Sequence, residues 1–403
     1  MEKLSRRRFL SYSAACLIAP GFINLFCPML QRTAHAGFPD DVSGHIFPGD
    51  APKVPGKYSH EAFLYSKSSR SRVICRICPN TCVLSPGDRS ICRSKVNIDG
   101  ILYSLAYGNP CSVHVDPVEK KPLYHFRPGS RVFSIATTGC NLRCLNCQNW
   151  EISQARPEDV RSIELFPDAV VKAAHESGSD SVAYTYSEPV TFFEYMIDTA
   201  RLAREQGITN LLISNGYIRP EPLKELCSVL DAANINLKSF SNDIYLKLNG
   251  GRLEYVLEAL KILHERGVHL EITNLVVPGY TDSPDMVKRM CAWIVNTLGQ
   301  DHPVHFLRFF PRYKLDRLPS TPVSTLERFR QIALDEGIRY VYLGNVPEHD
   351  ANNTYCHQCG ALLVRRQGYT ITKENLDGTR CASCKSVIPG VWRQEGKTGQ
   401  EQT

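Results

Sequence analysis

Three cysteines within eight residues, Cys140, Cys144 and Cys147, constrain what this chain can become more than any other feature of it. They lie in the stretch Ile-Ala-Thr-Thr-Gly-Cys-Asn-Leu-Arg-Cys-Leu-Asn-Cys-Gln-Asn-Trp, Ile135 to Trp150. The β-branched and aromatic run Arg131 to Ile135 precedes them and reads as a buried strand ending at Gly139. The spacing C-x3-C-x2-C puts three soft thiolates on one loop, a donor set that suits three irons of a cubane cluster. No fourth cysteine is close by, which would leave one iron open to a substrate. The competing reading is a zinc knuckle completed by a distant His or Cys. Context favours iron and sulfur, because the loop ends a first strand and strand–helix alternation follows, the arrangement in which α/β barrels build active sites.

The alternation runs to about residue 336. Strands are expected at Ser181–Tyr186, Asn210–Ser214, Asn234–Lys238, Leu270–Val276 and Val304–Phe309. Helical spacing covers 166–178, 190–205, 220–230, 253–266, 284–297 and 324–336. Such alternation argues for parallel βαβ units. About six units fit, fewer than a closed barrel's eight. The expected fold class is therefore α/β, a partial (β/α)6 TIM-like barrel with small cysteine-rich metal modules at both ends. Polar motifs fall where barrel strands should end: Thr185-Tyr186-Ser187-Glu188-Pro189, Ser214-Asn215-Gly216-Tyr217, Asn236-Leu237-Lys238, Thr273-Asn274, and His305 with Arg308. A barrel interior is ordinarily filled by branched apolar residues, so polar groups gathered at one rim mark a site. The segment Asp116–Phe126, polar and rich in proline, reads as a loop over the barrel mouth, with His125 either a ligand or proton carrier or a histidine satisfying backbone groups.

The three-cysteine loop resembles the signature of the radical S-adenosylmethionine (SAM) superfamily. That resemblance implies a [4Fe-4S] cluster on Cys140, Cys144 and Cys147, with SAM chelating the open iron. It also implies reductive cleavage of SAM to methionine and a 5′-deoxyadenosyl radical, which abstracts a hydrogen atom. Asn146 stands where the superfamily often has an aromatic residue. The set Gly-Cys-Asn-x-x-Cys-x-x-Cys-Gln-Asn-Trp, Tyr-Thr-Tyr-x-Glu-Pro, Ser-Asn-Gly-Tyr and Tyr-Leu-Gly-Asn-Val (342–346) is similar to the radical SAM enzyme of the AmmeMemoRadiSam system, a relative of the activating enzymes of pyruvate formate-lyase and other glycyl radical enzymes. By this resemblance Tyr186, Ser187 and Glu188 lie against the methionine end of SAM and Asn215 near its ribose. Lys238 matches an Asp-Leu-Lys motif in which Asn236 replaces the acid. Lys238 and His305 are the candidate catalytic residues, and Asn274 a further candidate cofactor contact. The partners implied are a low-potential electron donor and a protein substrate or AmmeMemo-type protein.

Two flanking cysteine sets complete the inventory. Cys75, Cys78, Cys82 and Cys92 form C-x2-C-x3-C-x9-C among turn signals, a module at 65–112 too small to stand without a metal staple, either zinc or an auxiliary iron–sulfur cluster. Cys111 is an alternative ligand or a lone thiol. Cys356, Cys359, Cys381 and Cys384 are two C-x2-C pairs at zinc-ribbon spacing, expected as a module at 351–390. Of sixteen cysteines these account for eleven with the central three, and Cys227 and Cys291 read as packing residues.

The formal charge is +6, but residues 1–36 hold five cations against Glu2, so the remainder carries only +2 and gives no nucleic-acid footprint. Ser5-Arg6-Arg7-Arg8-Phe9-Leu10 matches the twin-arginine export pattern, followed by an apolar stretch and Ala34-His35-Ala36 before Gly37. Pro20 and Pro28 make that stretch a poor membrane span. The expectation is an exported protein, periplasmic or in the envelope, with the cytoplasm as the alternative because SAM is made there. Residues 37–64 read as a linker, 113–350 as the barrel and 391–403 as a tail.

Overall fold

The computed structural model describes residues 44–392; the expected export signal and cleavage site, and the residues from 393, lie outside the described residues. The chain first makes six short strands: β1 (His60–Glu61), β2 (Tyr65–Lys67), β3 (Val73–Cys75), β4 (Val83–Leu84), β5 (Lys95–Ile98) and β6 (Ile101–Ser104). They pair antiparallel as two small sheets, β1-β6-β5 and β2-β3-β4. Strands this short hold little core alone. Val73, Ile77, Leu84 and Leu102 are instead buried in the same apolar cluster as the barrel helices. Part of the expected linker belongs here as well. Phe47 bridges Arg89, the Ala51 N–H donates to the Gly87 carbonyl at 2.8 Å, and Asp50 pairs with Arg89 at 2.9 Å. The prolines and glycines of 44–64 mark turns folded onto the module rather than a free spacer.

An eight-stranded sheet follows. Its first strand, β7 (Ser112–Pro117), runs antiparallel to β8 (Arg131–Ala136). Then β9 (Ser181–Tyr184), β10 (Thr209–Ser214), β11 (Ala232–Asn236), β12 (His269–Val276), β13 (Val304–Arg308) and β14 (Val341–Gly344) add in chain order, all parallel. Among the described residues the parallel strands number seven, one more than the six units expected, and β7 extends the sheet on the other edge. Helices α1 (Trp150–Ser153), α2 (Pro167–Glu176), α3 (Phe193–Glu205), α4 (Pro220–Leu226), α5 (Asn242–Ile244), α6 (Leu253–Glu265), α7 (Pro284–Thr297) and α8 (Val323–Asp335) lie between them. Proline opens α2, α4 and α7, where its missing N–H is no loss. In α6 the residues Val256, Ala259, Leu260 and Leu263 recur at helical spacing and are all buried, which makes one continuous apolar stripe against the sheet.

The segment after β7 is not a cover for the barrel mouth. Val118, Leu123 and Phe126 are buried with Val132, Leu211 and Ala232, residues near the starts of their strands, so this segment plugs the amino-terminal end of the barrel. The plug is polar as well as apolar: Asn234 donates to the Pro122 carbonyl at 2.7 Å, and Glu271 accepts the N–H groups of Tyr124 (3.0 Å) and His125 (2.7 Å). Behind it sits the last module, β15 (Thr354–Tyr355), β16 (Leu362–Gln367), β17 (Thr370–Glu374), β18 (Leu376–Asp377) and β19 (Arg380–Cys381). Arg366 donates to the Tyr124 carbonyl at 2.8 Å, and the Val391 N–H to that of His125 at 2.7 Å. Val391 and the buried Trp392, expected to begin the tail, therefore belong to this closure. Among the described residues no helix is long and apolar enough to cross a membrane.

Candidate active site

The cysteine loop leaves β8 through Gly139, whose φ is +102°. A Cβ there would stand 2.4 Å from Ser94 Oγ and 2.5 Å from the Cys92 carbonyl, so glycine is what lets the loop pass beneath the amino-terminal module. Backbone bonds then fix the loop from two sides. Arg143 N donates to the Asn249 carbonyl (2.7 Å), Leu145 N to that of Leu248 (2.9 Å), and Lys314 N to that of Leu145 (3.1 Å). Cys144 is buried and Cys140 and Cys147 half-buried. The amide of Asn249 stands 3.2 Å from Cys144 Sγ, that of Asn215 3.8 Å from Cys140 Sγ, and the Leu142 N–H 3.4 Å from the latter. Burial, then the charges of Glu188 and the neighbouring thiols, push the Cys140 thiol well up. Burial and Cys144 likewise raise Cys147 to about 11, while the Lys238 ammonium pulls the other way. Three thiols clustered in so dry a place become thiolates when a cationic metal core takes them.

Strand ends β9 to β12 face this loop. Tyr186 adopts φ +61°, uncommon for a residue with a side chain. Asn149 donates to its carbonyl at 2.7 Å, while its ring turns into the barrel, where the hydroxyl donates to Asp116 and the Lys121 ammonium lies 4.3 Å from the ring centre. Glu188 ties two strand ends together: it accepts from Ser214 Oγ (2.7 Å), Val190 N (3.1 Å) and Asn215 N (2.9 Å). Burial raises its pKa, opposed by those bonds and by the nearby Lys238. Asn215 in turn donates to Asn141 Oδ1 at 2.9 Å. Lys238 is thus placed within charge reach of both Cys147 and Glu188.

Three sequence candidates are placed elsewhere. His305 bonds Glu271 at 2.7 Å and packs edge-on to Tyr124, in the plugged base rather than at the rim. Asn274 alternates with Glu271 and Thr273, so it shares the outward strand face of Ile272 and Val276. Its amide holds the Leu237 carbonyl at 2.7 Å, next to Lys238. His125 contacts the Pro389 carbonyl and the Tyr342 hydroxyl, each at 2.6 Å, and burial lowers it to about 4, so it satisfies its neighbours instead of carrying protons near neutrality. Asn249 is a site residue that the sequence does not single out, while Asn141 and Asn149 stand in the cysteine-loop motif without an assigned role. Asn249 closes a π-helical turn, Tyr245–Asn249, a distortion often found at functional sites.

Buried polar atoms with no partner gather here. Thr138 Oγ1, Asn146 Oδ1, Ser187 Oγ and Asn249 Oδ1 all lie on the cysteine loop or against it. Each unpaired atom costs about 1–3 kcal/mol, and such a concentration marks a place where a ligand supplies the partners.

The carboxyl-terminal cysteine set closes in space. The Cys356–Cys384 and Cys359–Cys381 sulfurs are 3.6 and 3.7 Å apart, and all four lie within 4.8 Å of one another. A tetrahedron of Zn–S bonds of about 2.3 Å has edges of about 3.8 Å, which fits. Cys75, Cys78, Cys82 and Cys92 also group together, each of the first three sensing the charge of others in the set.

A (β/α) partial barrel with three thiols on its first loop and unpaired polar atoms around them defines the class. The Radical SAM superfamily profile matches residues 134–291. The chain is 45% identical over 330 residues to the uncharacterized protein MJ0808 of Methanocaldococcus jannaschii, covering 81% of this chain and 98% of that one. It is 26% identical over 230 residues to the pyruvate formate-lyase 1-activating enzyme of Escherichia coli K12, 53% of this chain and 93% of that one. A radical SAM methyltransferase from Sphaerobacter thermophilus superposes with a TM-score of 0.43 at 15% identity, over 59% of this chain and 71% of that chain. The chain belongs to the radical SAM superfamily. It is an enzyme of that class, using a [4Fe-4S] cluster to cleave SAM reductively and start radical chemistry.

Proposed function

We propose that Cys140, Cys144 and Cys147 hold the cluster, and that the enzyme abstracts a hydrogen atom from a C–H bond of a protein or small molecule. When bound, the cluster supplies the electron that splits SAM into methionine and a 5′-deoxyadenosyl radical. The observation that carries this reading is the unpaired polar atoms at the cysteine loop: Asn146 Oδ1 between Cys144 and Cys147, Asn249 Oδ1 on the amide beside Cys144 Sγ, and Ser187 Oγ next to Glu188. Oxygen acceptors of this kind suit the amino and hydroxyl donors of SAM, and Lys238 offers positive charge to its carboxylate. Asn249 and Asn215 orient the sulfurs, and the buried walls keep water from a reactive radical. Anaerobic protein with reductant and SAM is expected to release 5′-deoxyadenosine; an intact cluster with no release would overturn the reading.

The match to the E. coli activating enzyme across 93% of its length favours one substrate class, the glycine backbone of a partner glycyl radical protein. Electron paramagnetic resonance of a co-incubated partner detects or excludes that radical. The motif set supports membership of the AmmeMemoRadiSam group, with partners of that system and a low-potential donor. Zinc is the proposed metal of the carboxyl-terminal four. The twin-arginine motif supports export of the folded, metal-loaded protein.

A further inference from the structure

We infer that Cys75, Cys78, Cys82 and Cys92 hold a second iron–sulfur cluster that passes electrons to the cysteine loop of the barrel. The inference rests on the assignment of Cys140, Cys144 and Cys147 as the first cluster's ligands.

The two flanking quartets differ in size. The carboxyl-terminal four converge to zinc dimensions, with sulfurs 3.6 and 3.7 Å apart. Among the described residues no other three metal-binding groups come within 4.8 Å of one another. The amino-terminal four sense one another's charge, yet no three of their sulfurs come that close. A single zinc pulls four sulfurs to about 3.8 Å. A cluster interposes its own irons and sulfides and takes sulfurs farther apart, as the central trio does.

Their position is the second argument. A structural zinc serves wherever a small module needs a staple, whereas this quartet stands against the radical site. The Cys92 carbonyl is one of the two atoms that a Cβ on Gly139, one residue before Cys140, would strike. Two hydrogen-bonded routes cross the gap. Asn80, between Cys78 and Cys82, donates through its amide to the Asn141 carbonyl at 2.8 Å, next to Cys140. Arg93, next to Cys92, donates to Gln154 Oε1 at 3.1 Å, and Gln154 donates to the Leu142 carbonyl at 3.3 Å. The Arg93 guanidinium lies within charge reach of both Cys92 and Cys140, where it favours the extra negative charge of a reduced centre on either side. Cys78, Pro79, Asn80 and Thr81 are half-buried, which leaves one side of the quartet open to a donor protein.

The electron balance is simple. A low-potential flavin or iron–sulfur donor protein gives one electron to the quartet's cluster, which is reduced and then reoxidised as the electron moves to the rim cluster. That electron enters the C–S bond of the SAM sulfonium, and no proton or group transfer occurs at the quartet.

The test uses the full chain with Cys140→Ala/Cys144→Ala/Cys147→Ala, purified and reconstituted anaerobically with iron and sulfide. Expected are about four iron and four sulfide per chain, with a dithionite-reduced paramagnetic signal that SAM leaves unchanged. Zinc in place of iron, or no iron, overturns the inference. The wild-type protein gives a second measurement should that variant not fold. It is expected to hold iron for two clusters, with reduced signals broadened by mutual magnetic coupling; iron for one cluster in protein that still releases 5′-deoxyadenosine, or two uncoupled signals, also overturns it. Should the assignment of the rim cluster be what fails, the triple substitution leaves iron content and spectrum unchanged and wild type releases no 5′-deoxyadenosine.

Discussion

Glu271 shows how a single buried charge separates the two ends of this barrel. Burial pushes its carboxyl up, but bonds from His269 (3.0 Å) and His305 (2.7 Å) outweigh that and hold it well below the usual range. Its ordinary value is about 4.3, so the carboxylate contributes stability above that pH and the contribution is lost as pH falls through the lower folded value. Glu271→Gln is expected to cost on the order of 3 kcal/mol at neutral pH, and the gap to wild type, read from thermal unfolding, narrows below about pH 4. An equal gap at all pH values would contradict a charged Glu271. Because His305 shares this partner, the same substitution leaves 5′-deoxyadenosine release per folded chain unchanged. At the rim, Lys238→Met removes a charge within reach of Cys147 and Glu188. The expected loss in SAM affinity is about tenfold, the equivalent of one charge-assisted bond, measured by titration of the cluster-loaded protein; unaltered affinity would remove Lys238 from the nucleotide site.

At the scale of elements, the cysteine loop and the amino-terminal module meet at Gly139, and this is where module docking is tested. Gly139→Ala meets both an unfavourable φ and contacts of 2.4 and 2.5 Å, one of them to backbone. Strain and overpacking each cost about 1–3 kcal/mol. The variant is expected to melt several degrees lower and to hold less iron, read by metal analysis; normal iron content at normal stability would mean the module docks elsewhere. Which elements a sequence discloses follows from what decides them. α7 was legible because Ser283 and Pro284 announce its start and its apolar spacing is local. β9 to β13 were legible as short apolar runs between helices. β7 was not: Ser-Val-His-Val-Asp-Pro is a polar edge strand ending in proline, made a strand by pairing with β8. β14 was read only as a motif, Tyr-Leu-Gly-Asn-Val, although it is the seventh parallel strand. The three thiols stood out because their spacing lies within one loop. Asn249 did not, because only tertiary approach brings an amide 105 residues away to Cys144, and no periodicity encodes that.

For the whole molecule, the consequence of a plugged base is that chemistry and structural support sit at opposite ends. Tyr342 on β14 bonds both His125 of the plug (2.6 Å) and Thr354 of the carboxyl-terminal module (2.9 Å). Arg366 stacks 4.1 Å above the Tyr124 ring while holding its carbonyl. The four cysteines that organise this module therefore brace the barrel through the plug. Cys381→Ser/Cys384→Ser is expected to remove one metal per chain, since a small module of this kind draws much of its folding free energy from the ion. Loss of that brace exposes the plug, so the melting temperature falls and proteolysis begins within residues 354–392. The rim is held by a different set of bonds, from Asn249, Leu248 and Lys314. SAM cleavage per iron-loaded chain should thus stay within about twofold of wild type, well under the 1.4 kcal/mol that a tenfold change represents. A variant that keeps its iron yet cleaves no SAM would show that the base shapes the rim, and the division of labour between the two ends would have to be abandoned.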